Sequence, residues 1–172
     1  ELPGDCFDYS WIADAQPVFS LIDVSGHGIA AALVSTSPHT LSRSKSLAAE
    51  TLLEPDRLLT QLNGLFDMDR HDGNYFTLWY GVYQASSRTL RYASAGHPPA
   101  LVFTAEQNTV STTRLTSDAI PIGMLEDAEF PSATCILPPG SQLLLYSDGA
   151  YELPLSSGEH WSVAEFASLC AE

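Results

Sequence analysis

The sequence predicts an α+β fold built in layers. Three observations point there. Short strand-like runs pair off around Gly, Pro and Asn turns along most of the 172 residues. Helical periodicity is confined to stretches between those hairpins. The strand–helix alternation of a parallel, doubly wound sheet is absent. No internal repeat or long low-complexity linker divides the chain, so residues 1–172 read as one domain.

Residues 7–12 and 18–23 read as a hairpin, with 13–17 as its turn. Residues 27–46 read as a helix; Ile29, Leu33, Leu41 and Leu47 give it a rough apolar face, and Pro38 should kink or break it. A second helix spans 55–68. Pro55 suits a first helical turn, and Leu58, Leu59, Leu62, Leu65 and Phe66 form an apolar stripe. Three further hairpins follow: 75–83 with 89–94, 100–104 with 110–115, and 130–137 with 142–147. A last helix begins near Ser162, a residue suited to an N-cap. Trp11, Trp79 and Trp161 read as core or near-core aromatics. The strand-like start carries Asp5, and the helix through 165–172 has no stop signal, so the pattern is that of a piece cut from a longer protein.

Hydrophobic residues make up 45% of the chain and charged residues 16%, which places it among globular rather than disordered sequences. No apolar run reaches the ~18 residues of a membrane span, and no basic-then-apolar start reads as a signal peptide. Cys6, Cys135 and Cys170 are scattered without CxxC spacing. That usage fits a reduced, cytoplasmic protein and excludes a Cys/His zinc cluster. Seven Lys and Arg stand against 21 Asp and Glu, for a net charge of −14. A field of that sign repels nucleic acid and anionic lipid and suits divalent cations, while also serving solubility.

Three carboxylates sit where a strand gives way to Gly-rich backbone: Asp5 in Pro3-Gly4-Asp5, Asp23 in Asp23-Val24-Ser25-Gly26-His27-Gly28, and Asp148 before Gly149. An acid at the tip of a buried strand is held rigidly at the edge of the core, and a neighbouring Gly allows close approach. Gathered and unpaired, such acids repel one another and are costly to desolvate. A hard divalent cation resolves both problems, and oxygen-only ligands point to Mg²⁺ or Mn²⁺. Taken singly, an Asp-Gly pair is ordinary turn chemistry. The segment after Asp23 is more specific. It also suits anion binding at a helix start, but it lacks the Gly-Lys-Ser/Thr of a nucleotide-binding P-loop.

Asp23-Val-Ser-Gly-His-Gly followed by an Ala-rich stretch resembles the second motif of the SpoIIE/RsbU-like branch of the PPM (type-2C) metal-dependent serine/threonine protein phosphatases. Pro3-Gly4-Asp5 with Asp8 is similar to that family's Gly-Gly-Asp motif. Tyr75-Phe76-Thr77-Leu78-Trp79-Tyr80-Gly81-Val82, which resembles the family's Phe-x-Thr-x-x-x-Gly strand, Ser94-Ala95-Gly96-His97-Pro98-Pro99, Ile120-Pro121-Ile122-Gly123 and Ser147-Asp148-Gly149 follow in family order.

The resemblance implies an αββα sandwich, two antiparallel sheets flanked by helices, with a centre for two Mn²⁺ or Mg²⁺ ions at one end. It implies Asp23 as the bridging ligand, Asp5 and Asp148 as ligands of one ion each, the Val24 carbonyl as a further ligand, and Asp8 as an acceptor holding metal-bound water. Asp23 and Asp148 are then the acids the chemistry depends on. A metal-activated water attacks the phosphoserine or phosphothreonine phosphorus in line. Cys6 lies in no Cys-x5-Arg loop, so a tyrosine-phosphatase reading fails. His27 and His97 read as structural.

The resemblance also implies a phosphorylated bacterial regulator as partner, such as an anti-sigma-factor antagonist. It implies an upstream receiver or sensory domain in a response-regulator parent chain, with room for a homodimer. Neither the family's first strand nor its final acidic pair has a counterpart here, which leaves the domain short at both ends or degenerate. The alternative function is a pseudophosphatase adaptor that acts by docking in sigma-factor control.

Overall fold

A computed structural model describes residues 5–12, 16–25, 47–66, 74–107, 109–152 and 161–171. Its elements run β1 (Cys6–Ile12), β2 (Gln16–Val24), α1 (Ala49–Leu52), α2 (Pro55–Leu65), β3 (Phe76–Gln84), β4 (Thr89–Ala95), β5 (Ala100–Glu106), β6 (Thr109–Leu115), β7 (Ala133–Ile136), β8 (Gln142–Leu144), a 3₁₀ turn at Asp148–Ala150, and α3 (Val163–Cys170). Every ladder is antiparallel. The first sheet has the order β1-β2-β3-β4-β7 and the second β6-β5-β8.

Strand alternation builds the layers. One face of the first sheet buries Val18, Ile22, Val24, Phe76, Leu78, Tyr80 and Val82 against Leu52, Leu58, Leu59 and Leu62 of α1 and α2. Its other face packs Trp79, Leu90 and Tyr92 against Ala100, Val102 and Leu115 of the second sheet. The outer face of the second sheet, through Leu101 and Phe103, receives Tyr146, Phe166 and Ala167, the last two from α3. Helix, sheet, sheet and helix therefore stack as the expected αββα sandwich.

Each helix carries its own local reasons. Pro55 opens α2 at the first turn, where its missing N–H costs nothing. Ser162 caps α3 in a capping box: its Oγ accepts from the Glu165 N–H, and the Glu165 carboxylate accepts from the Ser162 N–H. The Ser162 N–H and, in second place, the Ser162 hydroxyl both donate to the Glu165 carboxylate and hold it below its ordinary value.

Several expectations need correction. Residues 130–137 and 142–147 do not form a hairpin: β7 pairs with β4 in the first sheet, and β8 with β5 in the second. Pro138 and Pro139 have no N–H with which to close a tight ladder, and Gly140 turns the chain at φ +82 toward the opposite sheet. The strand meant to reach residue 147 stops at Leu144, so Asp148 sits on a 3₁₀ turn rather than at a strand tip. Trp11 is 66% exposed, because β1 is an edge strand and the three-stranded second sheet does not extend over it. The one-turn helix α1 had no signal of its own; it is fixed by burial of Leu52 and by the Tyr80 hydroxyl, which donates to the Leu52 carbonyl at 2.7 Å. Helix α2 ends at Leu65, with Phe66 already extended. The expected helix over 27–46 and the turn residues 13–15 lie outside the described residues.

Asn63, 4% exposed, ties α2 to the loop after Ile122. Its Nδ2 donates to the carbonyls of Leu125 (2.9 Å) and Glu126 (3.0 Å), and its Oδ1 accepts from the Gly123 N–H at 2.9 Å. Asn63→Ala leaves those backbone groups unpaired. The expected cost is about 1–3 kcal/mol, seen as a fall in Tm of a few degrees for a domain of this size in a thermal melt.

Candidate metal and phosphate site

Register alone brings the first acids together. Cys6 faces Ile22 across β1 and β2, and continuing the ladder by one residue sets Asp5 opposite Asp23. Asp23 in turn faces Thr77 across β2 and β3. By alternation, Asp23 shares its face with Phe19 and Leu21 and looks into the space between the sheets. Ile22 and Val24, one residue to either side, go to the helix-covered core. The result is a row, Asp5–Asp23–Thr77, across three strands at the open end of the sandwich.

The second wall comes from the segment after β8. The Ser147 hydroxyl donates to Asp5 Oδ2 at 2.6 Å. Asp148 opens the 3₁₀ turn, whose carbonyl accepts from the N–H groups of Tyr151 (3.0 Å) and Glu152 (2.8 Å). Behind the row lies His97, 7% exposed, on the link between β4 and β5. Its Nδ1 is 2.8 Å from Thr77 Oγ1 and its Nε2 is 3.2 Å from the Tyr146 carbonyl. Burial lowers its pKa to about 4, against smaller raising effects of the Tyr146 carbonyl, Asp5 and Asp148. The ring is therefore neutral at physiological pH.

The electrostatics are those of crowded anions. The Asp23 carboxyl is pushed up to about 6, first by burial, then by its hydrogen bond with Asp5 and by the charges of Asp5 and Asp148, against a lowering contact with the Val24 backbone. Burial, then the charges of Glu152, Asp148 and Asp23, push up the Tyr151 phenol, which places that ring in the same field. Among the described residues the basic ion pairs are those of Arg91 with Glu54 and Asp56, and no Lys or Arg pairs with Asp5, Asp23 or Asp148. A half-buried acid facing like charges without a basic partner fits a divalent cation, and oxygen donors fit Mg²⁺ or Mn²⁺. Among the described residues, however, no three His, Cys, Asp or Glu side chains are gathered closely enough to hold a metal ion. Asp148, set back on its 3₁₀ turn, acts on Asp23 through space.

Of the residues singled out in the sequence, Asp5 and Asp23 share a hydrogen bond, Asp5 being exposed rather than buried, and Asp148 lies near enough for its charge to reach Asp23. Val24 is buried beside Asp23. Asp8 does not join them. It pairs with Ser20, on the opposite face of β1 from Asp5, and its charge is felt by Tyr80 and Cys6. Pro3, Gly4, Gly26, His27 and Gly28 lie outside the described residues. Sequence reasoning missed the contacts of Ser147 and Thr77. Their motifs were visible, but the contacts join residues 142 and 20 positions apart, which spacing cannot reveal.

A cleft of about 640 Å³ adjoins the acids, lined by Asp5, Phe7, Tyr9, Phe19, Leu145 and Ser147 among others. Its apolar floor continues the space between the sheets.

The chain is 33% identical over 156 residues to the phosphoserine phosphatase RsbP of Bacillus subtilis (strain 168), covering 88% of this chain and 37% of RsbP. It is 26% identical over 159 residues to the phosphoserine phosphatase RsbU of the same organism, covering 92% of this chain and 45% of RsbU. The chain thus spans less than half the length of these curated relatives. Among solved structures, the SiaA-PP2C domain of Pseudomonas aeruginosa superposes with a TM-score of 0.76 at 18% identity, over 98% of this chain and 65% of that one, which shows the shared fold. The pattern for Stage II sporulation protein E (SpoIIE) matches residues 14–172. With that match over nearly its whole length, the chain belongs to the SpoIIE family, and its paired sheets share the fold of the PP2C domain.

Proposed function

We propose that this chain is a metal-dependent serine/threonine protein phosphatase domain acting on a phosphorylated bacterial regulator, such as an anti-sigma-factor antagonist. One observation supports the reading: Asp5 and Asp23 share a hydrogen bond at the rim of the sandwich, within reach of the Asp148 charge and with no described basic partner. The names of RsbP and RsbU support phosphoserine as the substrate group. In this reading Asp23 would hold both of two ions, Mn²⁺ or Mg²⁺, Asp5 and Asp148 would each hold one, and the Val24 carbonyl would add a ligand. When bound, such ions lower the pKa of a water and neutralise phosphoryl charge.

The chain's own groups do the positioning. The β1–β2–β3 ladder fixes Asp5 against Asp23. The Ser147 hydroxyl, by donating to one Asp5 oxygen, orients the carboxylate beside Asp23. The apolar packing behind Leu21 and Trp79 keeps bulk water from one side of the acids, so charge placed there is weakly screened.

The docking alternative rests on the lack of a finished three-ligand cluster among the described residues. Hydrolysis of p-nitrophenyl phosphate with and without Mn²⁺ separates the two. Activity that requires Mn²⁺ and falls by at least about 100-fold in Asp23→Ala and in Asp148→Ala is expected, since even outer-shell partners of a metal are worth ~10–100-fold. Activity surviving both substitutions would refute the site. Binding of a regulator with neither Mn²⁺ uptake nor hydrolysis would favour docking.

A second outcome follows from the raised Asp23 carboxyl. The folded state holds this proton more tightly than the unfolded chain, whose carboxyl keeps its ordinary value of 3.8. The stability it contributes is full below that value and is lost as pH rises through about 6. The neutral His97 ring, its pKa lowered to about 4, shifts stability the opposite way over the same range, so the Asp23 contribution is read by difference. The Tm of metal-free wild type should fall relative to that of Asp23→Asn from pH 4 to pH 7, and Mn²⁺ should raise the Tm of the wild type at pH 7. A thermal melt series across pH on both proteins, run with and without chelator, reads both.

A further inference from the structure

We propose that His97 is a positioning residue that sets the separation of the two walls of the acid site and, through it, the affinity for divalent metal. The inference rests on the metal-centre reading above.

His97 lies where the chain leaves the first sheet at Ala95 and enters the second at Ala100. Its backbone is held on both sides. Gly96 adopts φ +65 and donates to the Ala119 carbonyl at 2.8 Å, and a Cβ there would lie 2.6 Å from the Pro121 ring. Pro98 restricts His97 itself to extended geometry. The Ser94 hydroxyl donates to the His97 carbonyl at 3.2 Å.

The tautomer follows from the partners. A carbonyl only accepts, so Nε2 carries the proton and donates to Tyr146. Nδ1 then accepts, and the Thr77 hydroxyl is its donor. Both ring nitrogens are used, and each partner stands next to the acids. Thr77 is the cross-strand neighbour of Asp23. Tyr146 directly precedes Ser147, which holds Asp5, and Asp148. One neutral imidazole thus spans from the sheet that carries Asp23 to the segment that carries Asp148. It uses no hydrogen bond to any of the three acids. An apolar side chain of similar size would fill the space but leave the Thr77 hydroxyl and the Tyr146 carbonyl without partners.

The test is Mn²⁺ uptake, followed by the electron paramagnetic resonance signal of free Mn²⁺, alongside Tm. It compares the wild-type chain with His97→Ala, His97→Gln, Thr77→Val and the double variant His97→Ala/Thr77→Val. Leu90→Ala, fully buried near the far end of β4, controls for stability loss alone. His97→Ala should raise the Mn²⁺ dissociation constant by about 10-fold or more, the range for partners one step removed from a metal. Thr77→Val should raise it severalfold, and the double variant no further than His97→Ala, because the two groups act as one chain. His97→Gln, which keeps a donor for Tyr146, should recover part of the loss. Leu90→Ala should lower Tm with the constant within twofold of wild type.

Wild-type uptake with His97→Ala and Thr77→Val both within twofold would overturn the inference and leave the metal-centre reading standing. If His97→Ala does not fold, the near-isosteric Thr77→Val decides by the same threshold. A wild-type chain that takes up no Mn²⁺ overturns both.

Discussion

The period-two ladder of β1, β2 and β3 is the constraint on which the site rests. A strand offers no intermediate orientations: a slip of one residue exchanges its faces. Were β2 displaced by one position, Asp23 would enter the layer now filled by Val18, Ile22, Val24, Leu78 and Tyr80, and Ile22 would face the acids. Burying a carboxylate in that layer costs several kcal/mol, whereas each aliphatic side chain now there contributes roughly 1.5–3 kcal/mol by leaving water. The apolar residues therefore enforce the geometry of the polar ones. The Tyr80 hydroxyl on the Leu52 carbonyl adds a directional contact to the same layer.

The space between the sheets is set by a different device. Trp79 stacks on Tyr92 with centroids 5.7 Å apart and planes 10° from parallel. The Trp79 ring lies over Gly81, where a Cβ would come within 2.6 Å of it. Glycine weakens a strand in general; here it lets a large ring lie flat between two sheets. That packing fixes how closely β8 and the residues after it approach β2 and β3. Asp148 acts on Asp23 only because those layers are close, so the glycine of one sheet bears on an acid carried by the other.

What the sequence made legible follows the range of the interactions. The alternation in β1 and β2, the Pro at the start of α2 and the Ser162 cap are local, and each was readable from a few neighbouring residues. The acids stood out because they interrupt apolar runs beside glycine. Sheet membership was harder. Residues 133–136 and 142–144 look like two arms of a hairpin, yet their partners lie about 45 and 40 residues back, in different sheets (ladders such as Thr89 with Ile136 and Val102 with Leu143). Trp11 was misread for a related reason. Residue type favours the core, but whether a second sheet reaches over an edge strand is a property of the whole topology. His97 appeared structural from its Pro-Pro neighbours; only the fold shows that both its nitrogens are engaged next to the acids.

The distribution of the few basic residues completes the picture. With seven Lys and Arg against 21 Asp and Glu, the chain has little cationic charge to allot. Arg91 is committed to Glu54 and Asp56 beside α2, where it supports the helical layer. Among the described residues the acids at the rim are left to one another, with a serine hydroxyl on Asp5 and the Val24 backbone on Asp23. An arginine placed there would stabilise the empty site by pairing with it, and would also occupy the position that a divalent cation needs. Leaving the anions uncompensated makes the metal-free fold less stable than it need be, a familiar cost at functional sites. If the site takes up a cation as proposed, that ion would relieve the same repulsion that opposes folding without it, so part of the affinity of the site and the strain in its absence would have one origin.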